Sequence, residues 1–292
     1  MKAVSEPLRL NLTEIVRSRA GEKGKWIPGF LLRGLERIIR QDELNEMLRV
    51  AHPAVGSEFS QRILKYLNIT LDVTGLDNLI SSHEQSNTES GEAFVFASNH
   101  PLGGLDGIAL VAVLGEAFGD DNLRVVVNDL LMNVTPLSNV FLPVNKYGKK
   151  GARESSLLLA EAMDERKQIV MFPAGLVSRL QAVPSDKHYD TIRDLAWKKS
   201  FVTKALEFGR RIVPVKFVGL NSMKFYRTAR VRKKLGLKIN IEQAFLPSEV
   251  CKSRGKHYEI KFGTPVDPAL LIKEGKTVNE IVARIYEAVY SL

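Results

Sequence analysis

A chain of 292 residues with 45% apolar content can bury a sizeable core, and its formal charge of +9 calls for at least one surface that attracts anions. The single cysteine, Cys251, excludes a disulfide framework and fits a reducing compartment, and no His or Cys spacing suggests a metal site. No apolar run approaches the roughly 18 residues of a membrane span, and the polar, mixed stretch 1–15 lacks the apolar centre of a signal peptide.

Taken in order, residues 1–20 carry little pattern. Residues 26–40 predict a helix with Arg33, Arg37 and Arg40 on one face and Leu31, Leu35, Ile38 and Ile39 on the other. Two further helices are predicted over 42–50, capped by Asp42, and over 57–67. Residues 1–68 therefore form a helical lead-in packed on a main domain at 69–292, with a basic face that suits either solvent or anionic lipid. A short strand is predicted over 69–73, and 81–91 reads as a polar loop with a solvated His83.

The apolar run 93–97 predicts a buried strand that ends on Ser98 and Asn99 and delivers His100 at its tip. Two glycines follow, Gly103 and Gly104, and Asp106 opens an apolar helix reaching about residue 118. Strands over 123–127, 140–144, 168–172 and 212–218 then alternate with helices over 128–134, 152–165 and 195–208. Such alternation predicts an α/β fold with a mostly parallel sheet flanked by helices. Late strands over 238–241 and 257–262 and a closing helix over 277–290 complete the chain, without repeats or a Pro-rich linker.

His100 and Asp106 are the residues whose chemistry this layout serves. A neutral imidazole can take a proton from a hydroxyl near neutral pH, and a carboxylate on its other nitrogen fixes the tautomer and balances the charge that forms. Asp106 also stands where a helix cap belongs, so a structural role is open beside the catalytic one. After another predicted strand, Phe172-Pro-Ala-Gly-Leu-Val-Ser-Arg179 offers Gly175, Ser178 and Arg179 as a turn able to hold a phosphate. Lys146 follows the strand 140–144, and Pro214 interrupts the strand 212–218, where an edge or bulge would tolerate it. Residues 222–236 gather Lys224, Arg227, Arg230, Arg232, Lys233 and Lys234 around Phe225 and Tyr226. That basic stretch suits solvent, an anionic headgroup or an acidic carrier, and no motif for nucleic acid accompanies it.

Asn99-His100 with Gly103-Gly104 and Asp106 resembles the signature of the glycerol-phosphate and lysophosphatidic acid acyltransferase superfamily, in particular a bacterial hemolysin-like branch of ornithine- and glycine-lipid O-acyltransferases. Five residues separate His100 from Asp106 where the family has four. Phe172, Pro173 and Gly175 match the family's Phe-Pro-Glu-Gly-Thr-Arg block, Ala174 stands in place of its Glu, and Arg179 lies further from the glycine than the family's Arg. Lys146 stands at the family's basic position, and Pro214 in its Val-Pro-Val block.

The resemblance implies a catalytic pair His100 and Asp106, and substrate contacts from Asn99, Gly103, Gly104, Lys146, Phe172, Pro173, Gly175, Ser178, Arg179 and Pro214. It implies an O-acyltransferase that needs no cofactor or metal and works peripherally on the cytoplasmic face of an anionic membrane. The acyl donor would be a thioester of acyl carrier protein or coenzyme A, and the acceptor a lyso-lipid, with nucleic acid not expected as a partner. An amino-acid lipid acceptor is favoured over lysophosphatidic acid by the Ala174 and Arg179 departures. The rival from another class is a silent lipid- or nucleic-acid-binding protein.

Overall fold

The computed structural model describes residues 6–14, 17, 28–86, 91–144, 149–183, 186–236 and 241–292. Lys146 and most of the expected strand at 238–241 lie outside them. Nine strands run β1 (Thr70–Thr74), β2 (Val95–Ser98), β3 (Leu123–Asn128), β4 (Phe141–Val144), β5 (Gln168–Met171), β6 (Arg179–Val183), β7 (Asp186–Arg193), β8 (Ile212–Val218) and β9 (His257–Phe262) among the described residues. Seven of these form one sheet in the order β1-β9-β8-β2-β5-β3-β4. Every neighbouring pair is parallel except β8 and β9. The mostly parallel α/β fold is thus as expected from the strand-helix alternation.

Alternation along β2 divides the core into two layers. Phe94 and Phe96 point into one, with Val170, Val213, Val215 and Phe217. Val95 and Ala97 point into the other, with Ile169, Met171 and Ile212. Helix α5 (Gly104–Phe118) covers the first face, and α11 (Val278–Ser291) with α7 (Ser200–Glu207) the second. Each large side chain buried in this way stabilises the fold by about 1.5–3 kcal/mol relative to exposure.

Of the lead-in helices α1 (Gly29–Ile39), α2 (Gln41–Ala51) and α3 (Gly56–Tyr66), α2 and α3 are tied to the same core, since Met47, Leu48, Phe59 and Ile63 share a cluster with Phe96. At Gly115 of α5 an added Cβ would stand 2.6 Å from the Ser57 side chain, so the glycine is what lets α3 approach. Asp120 then accepts the Ser57 N–H at 3.0 Å, satisfying a donor at the start of α3.

Several local expectations change. On α1 the buried positions are Leu32 and Ile39, whereas Leu31 and Ile38 are exposed beside Arg33 and Arg37. The helix α2 begins at Gln41 after Arg40 in a left-handed conformation, so Asp42 lies in its first turn and is not the cap. Residues 76–84 form α4 (Leu76–Glu84), which reaches into the expected loop. There His83 is partly buried, its Nδ1 2.7 Å from the Glu92 carbonyl and its ring edge-on to Phe118. The helix expected over 195–208 starts only at Ser200, because Trp197 and Lys198 are held by Asp194 and by the Pro173 carbonyl. Pro214 sits inside the sheet opposite Ala97 and not at an edge. The strands β6 and β7 pair antiparallel as a separate two-stranded sheet that the residue pattern did not suggest.

Candidate active site

Register places the site. In the sheet Ala97 lies opposite Met171 of β5 and Pro214 of β8, so the residues just past these strands emerge together at one edge. His100 and Phe172 meet there with ring centroids 4.2 Å apart and planes tilted by 32°. Open parallel sheets bind ligands beyond the carboxyl ends of their strands for this reason.

Between His100 and α5 the chain doubles back through Gly103, whose φ of 80° favours glycine and whose missing Cβ would press on Leu246 and Val177 at 3.1–3.2 Å. That turn brings Asp106, in the first helical turn, under the imidazole. Its Oδ1 lies 3.1 Å from His100 Nδ1 and also accepts the Gly107 N–H at 3.0 Å. Its Oδ2 accepts the N–H groups of Leu102 and Gly103 at 3.0 and 3.3 Å. The capping role and the pairing with His100 are therefore performed by one fully buried carboxylate. The five residues between His100 and Asp106 thus run through one positive-φ turn at Gly103, and Gly104 opens the helix.

Asp106 lies against Nδ1, so the imidazole nitrogen on the side away from the carboxylate is Nε2. Burial works against the protonated ring, but Asp106 and, more distantly, Asp194 together outweigh it with Arg179 opposing them, and the His100 pKa ends above its ordinary value. A base with a raised pKa is a stronger proton acceptor once deprotonated.

The other expected contacts divide. Phe172 stacks on the His100 imidazole, and Pro173 anchors the following turn by accepting the Lys198 N–H at 3.1 Å. Ala174 packs in the apolar layer with Val95 and Trp197, an environment in which a glutamate would be desolvated. The Gly103 and Gly175 N–H groups are spent on Asp106 and on the Phe172 carbonyl, so neither is aimed at a substrate oxyanion. Asn99 is a clasp, donating to the Phe217 carbonyl at 2.9 Å and accepting the Phe217 N–H at 2.7 Å. Arg179, expected at an acceptor phosphate, is turned inward. It donates to the Val177 carbonyl at 2.6 Å and to Glu242 at 2.9 Å, and lies over the Phe225 ring. Pro214 sits within β8 and is buried.

Ser178 reaches the site through the backbone. Its N–H donates to the His100 carbonyl at 2.8 Å and its hydroxyl to Asp194 Oδ1 at 2.5 Å. Asp194 is the residue the sequence reading missed. No neighbouring sequence signal announced it, because the His100 peptide that it binds lies 94 residues away. Asn221, also missed, closes the loop after His100 by donating to the Pro101 carbonyl at 3.0 Å. Among the described residues no cluster of three or more metal-ligating side chains occurs.

Comparison with known proteins finds relatives along nearly the whole chain. The family described as Acyltransferase matches residues 14–292. A lyso-glycine lipid O-acyltransferase of Phocaeicola vulgatus is 37% identical over 97% of this chain and 95% of its own length. A protein of the same description from Bacteroides thetaiotaomicron is 36% identical over 97% of each. The solved 1-acyl-sn-glycerophosphate acyltransferase of Thermotoga maritima, at 17% identity and a TM-score of 0.44 over 89% of this chain and 84% of that one, is too distant to bear on substrate. Matched over nearly its whole length, the chain belongs to the acyltransferase family and is an acyltransferase.

Proposed function

We propose that this chain moves a fatty acyl group from a thioester to the hydroxyl of a lyso amino-acid lipid, with His100 as general base. The observation that carries the reading is the buried Asp106 carboxylate 3.1 Å from His100 Nδ1, at the open end of a parallel sheet. In this mechanism Nε2 takes the hydroxyl proton as the oxygen attacks the thioester carbonyl. Collapse of the tetrahedral intermediate breaks the C–S bond, and the imidazolium returns the proton to the departing thiolate. No cofactor enters this scheme. The lone thiol, Cys251, is buried and its pKa pushed up to about 11, which disqualifies it as a rival nucleophile.

The acceptor class is taken from the relatives, both described as acting on lyso-glycine lipid. Supporting it, Ala174 and the inward Arg179 leave the Phe172–Arg179 loop without the charged pair that a glycerol phosphate would use. The donor is acyl carrier protein or coenzyme A, and the same reading sets the enzyme on an anionic bilayer. Exposed Phe30, Leu31 and Ile38 beside Arg33 and Arg37 support that placement. No helix among the described residues is long and apolar enough to cross a membrane.

Purified protein offered lyso-glycine lipid and lysophosphatidic acid in parallel, with each thioester donor, tests the proposal by mass-spectrometric product detection. Transfer to the glycine lipid is expected. Preferential formation of phosphatidic acid overturns the acceptor, and liposome binding without transfer from any thioester overturns the reaction.

A further inference from the structure

Ser178 and Asp194, which flank the β6–β7 hairpin, hold both polar groups of the His100 backbone. The Ser178 N–H reaches the His100 carbonyl at 2.8 Å, and the His100 N–H reaches Asp194 Oδ1 at 3.2 Å. Asp194 is 1% exposed, and each of its carboxylate oxygens is in use. Oδ1 also accepts the Ser178 hydroxyl at 2.5 Å, and Oδ2 accepts the Trp197 indole N–H at 2.9 Å. Its own backbone is fixed in turn, its N–H on the Tyr290 hydroxyl at 2.7 Å and its carbonyl accepting from Tyr286 at 3.2 Å and from Gln181 at 2.6 Å. Such a residue is expensive for a fold to keep, because a buried carboxylate loses its hydration. The backbone N–H and the indole N–H can only donate, and the serine hydroxyl donates as well, so the arrangement suits the ionised form.

From this arrangement we infer that Asp194 is a second carboxylate of the acyl-transfer site. It is a positioning residue that fixes the height of the His100 peptide against the Phe172–Arg179 loop and places a negative charge behind the base. The inference rests on His100 acting as base. Asp106 holds the ring from its own loop, while Asp194 holds the backbone from a hairpin distant in sequence, so together they set both where the imidazole sits and which way it faces. The charges felt at His100 are those of Asp106, Asp194 and, opposing them from its inward position on Glu242, Arg179. Burial pushes Asp194 itself upward, with Ser178, Trp197 and His100 restraining it.

The test is Asp194→Asn in the full chain, which keeps the shape and removes the charge. Folding is checked by circular dichroism, and kcat and KM for lyso-glycine lipid are measured across pH beside the parent and His100→Ala. At pH 8.5 or above, kcat is expected to fall on the order of ten-fold from loss of alignment, with KM within about two-fold. Loss of a nearby negative charge lowers the His100 pKa, so the acidic limb of kcat/KM should move to lower pH by about half a unit or more. A folded Asp194→Asn protein whose acidic limb stays at the parent position overturns the inference, because a purely structural role would not move it. If that variant does not fold, Ser178→Ala, which keeps the Asp194 charge and removes one of its donors, is expected to lower kcat several-fold at unchanged KM with the limb in place. An unaltered kcat there overturns the inference as well. Activity surviving in His100→Ala would instead refute the base assignment, which separates the two failures.

Discussion

Two regions meet at His100, and they differ in how they are built. The turn from His100 to Asp106 is local. Its partners lie within seven residues in sequence, its geometry depends on one positive-φ glycine, and its carboxylate doubles as a helix cap. The clasp from the β6–β7 hairpin joins positions 94 apart in sequence and exists only once β2 and β5 stand side by side. The local turn can carry the reacting chemistry because little else must be right for its atoms to be near one another. The clasp acts on that chemistry from outside the turn, through the His100 peptide, and its place depends on how the strands pair. The comparison predicts that damage to the turn is catalytic and damage to the clasp graded.

The largest effect should come from His100→Ala. Loss of a positioned general base should lower kcat by roughly 10²–10⁴-fold, measured as product formed per enzyme, with a melting temperature close to the parent. Asp106→Asn should follow, losing on the order of 10²-fold or more through the wrong tautomer and a less stable imidazolium. It should also lose stability of about 1–3 kcal/mol, because a carboxylate that serves three backbone N–H groups is replaced. Both numbers are needed to see the two duties of one side chain, so kinetics and urea unfolding belong on the same sample.

The acidic limb of kcat/KM in the parent sharpens the picture. A base works only when deprotonated, and the two carboxylates raise the His100 pKa. Activity should therefore begin to fall on acidification at a pH above about 6.5, the value of a free imidazole. A midpoint below that would mean burial wins over Asp106 and Asp194. Away from the base, Glu242 is fully buried and lies 2.9 Å from both Arg179 and Arg232. Glu242→Gln removes their shared counter-charge and should cost about 3 kcal/mol in urea unfolding. Catalysis should respond less than stability, since Arg179 faces inward. Smallest of all, Gly103→Ala should destabilise by about 1–2 kcal/mol from positive-φ strain and contact with Leu246 and Val177. Its kinetic cost should track how far the turn shifts.

Residue by residue, legibility followed the range of the interaction. Val95–Ser98, Ile212–Val218 and His257–Phe262 were readable because apolar runs and β-branched residues declare strands locally. His100, the glycines and Asp106 were readable because their chemistry is spelled within one loop. Asn99 and Arg179 carried the right chemistry for a ligand but were claimed by Phe217 and Glu242, partners that nothing nearby in sequence announces. The exposed face of α1 was misread because the periodicity names a stripe and not the neighbour that covers it.

Alone, then, the amino-acid order determined the strand-helix alternation and the pairing of His100 with Asp106, since each depends on contacts within a few residues. Only the tertiary structure decided that Asp194 would hold the His100 peptide, that Asn99 would lace β2 to β8, and that Arg179 would turn away from His100. Those outcomes depend on which strands become neighbours, and the free energy that selects neighbours comes from burying both faces of the sheet at once.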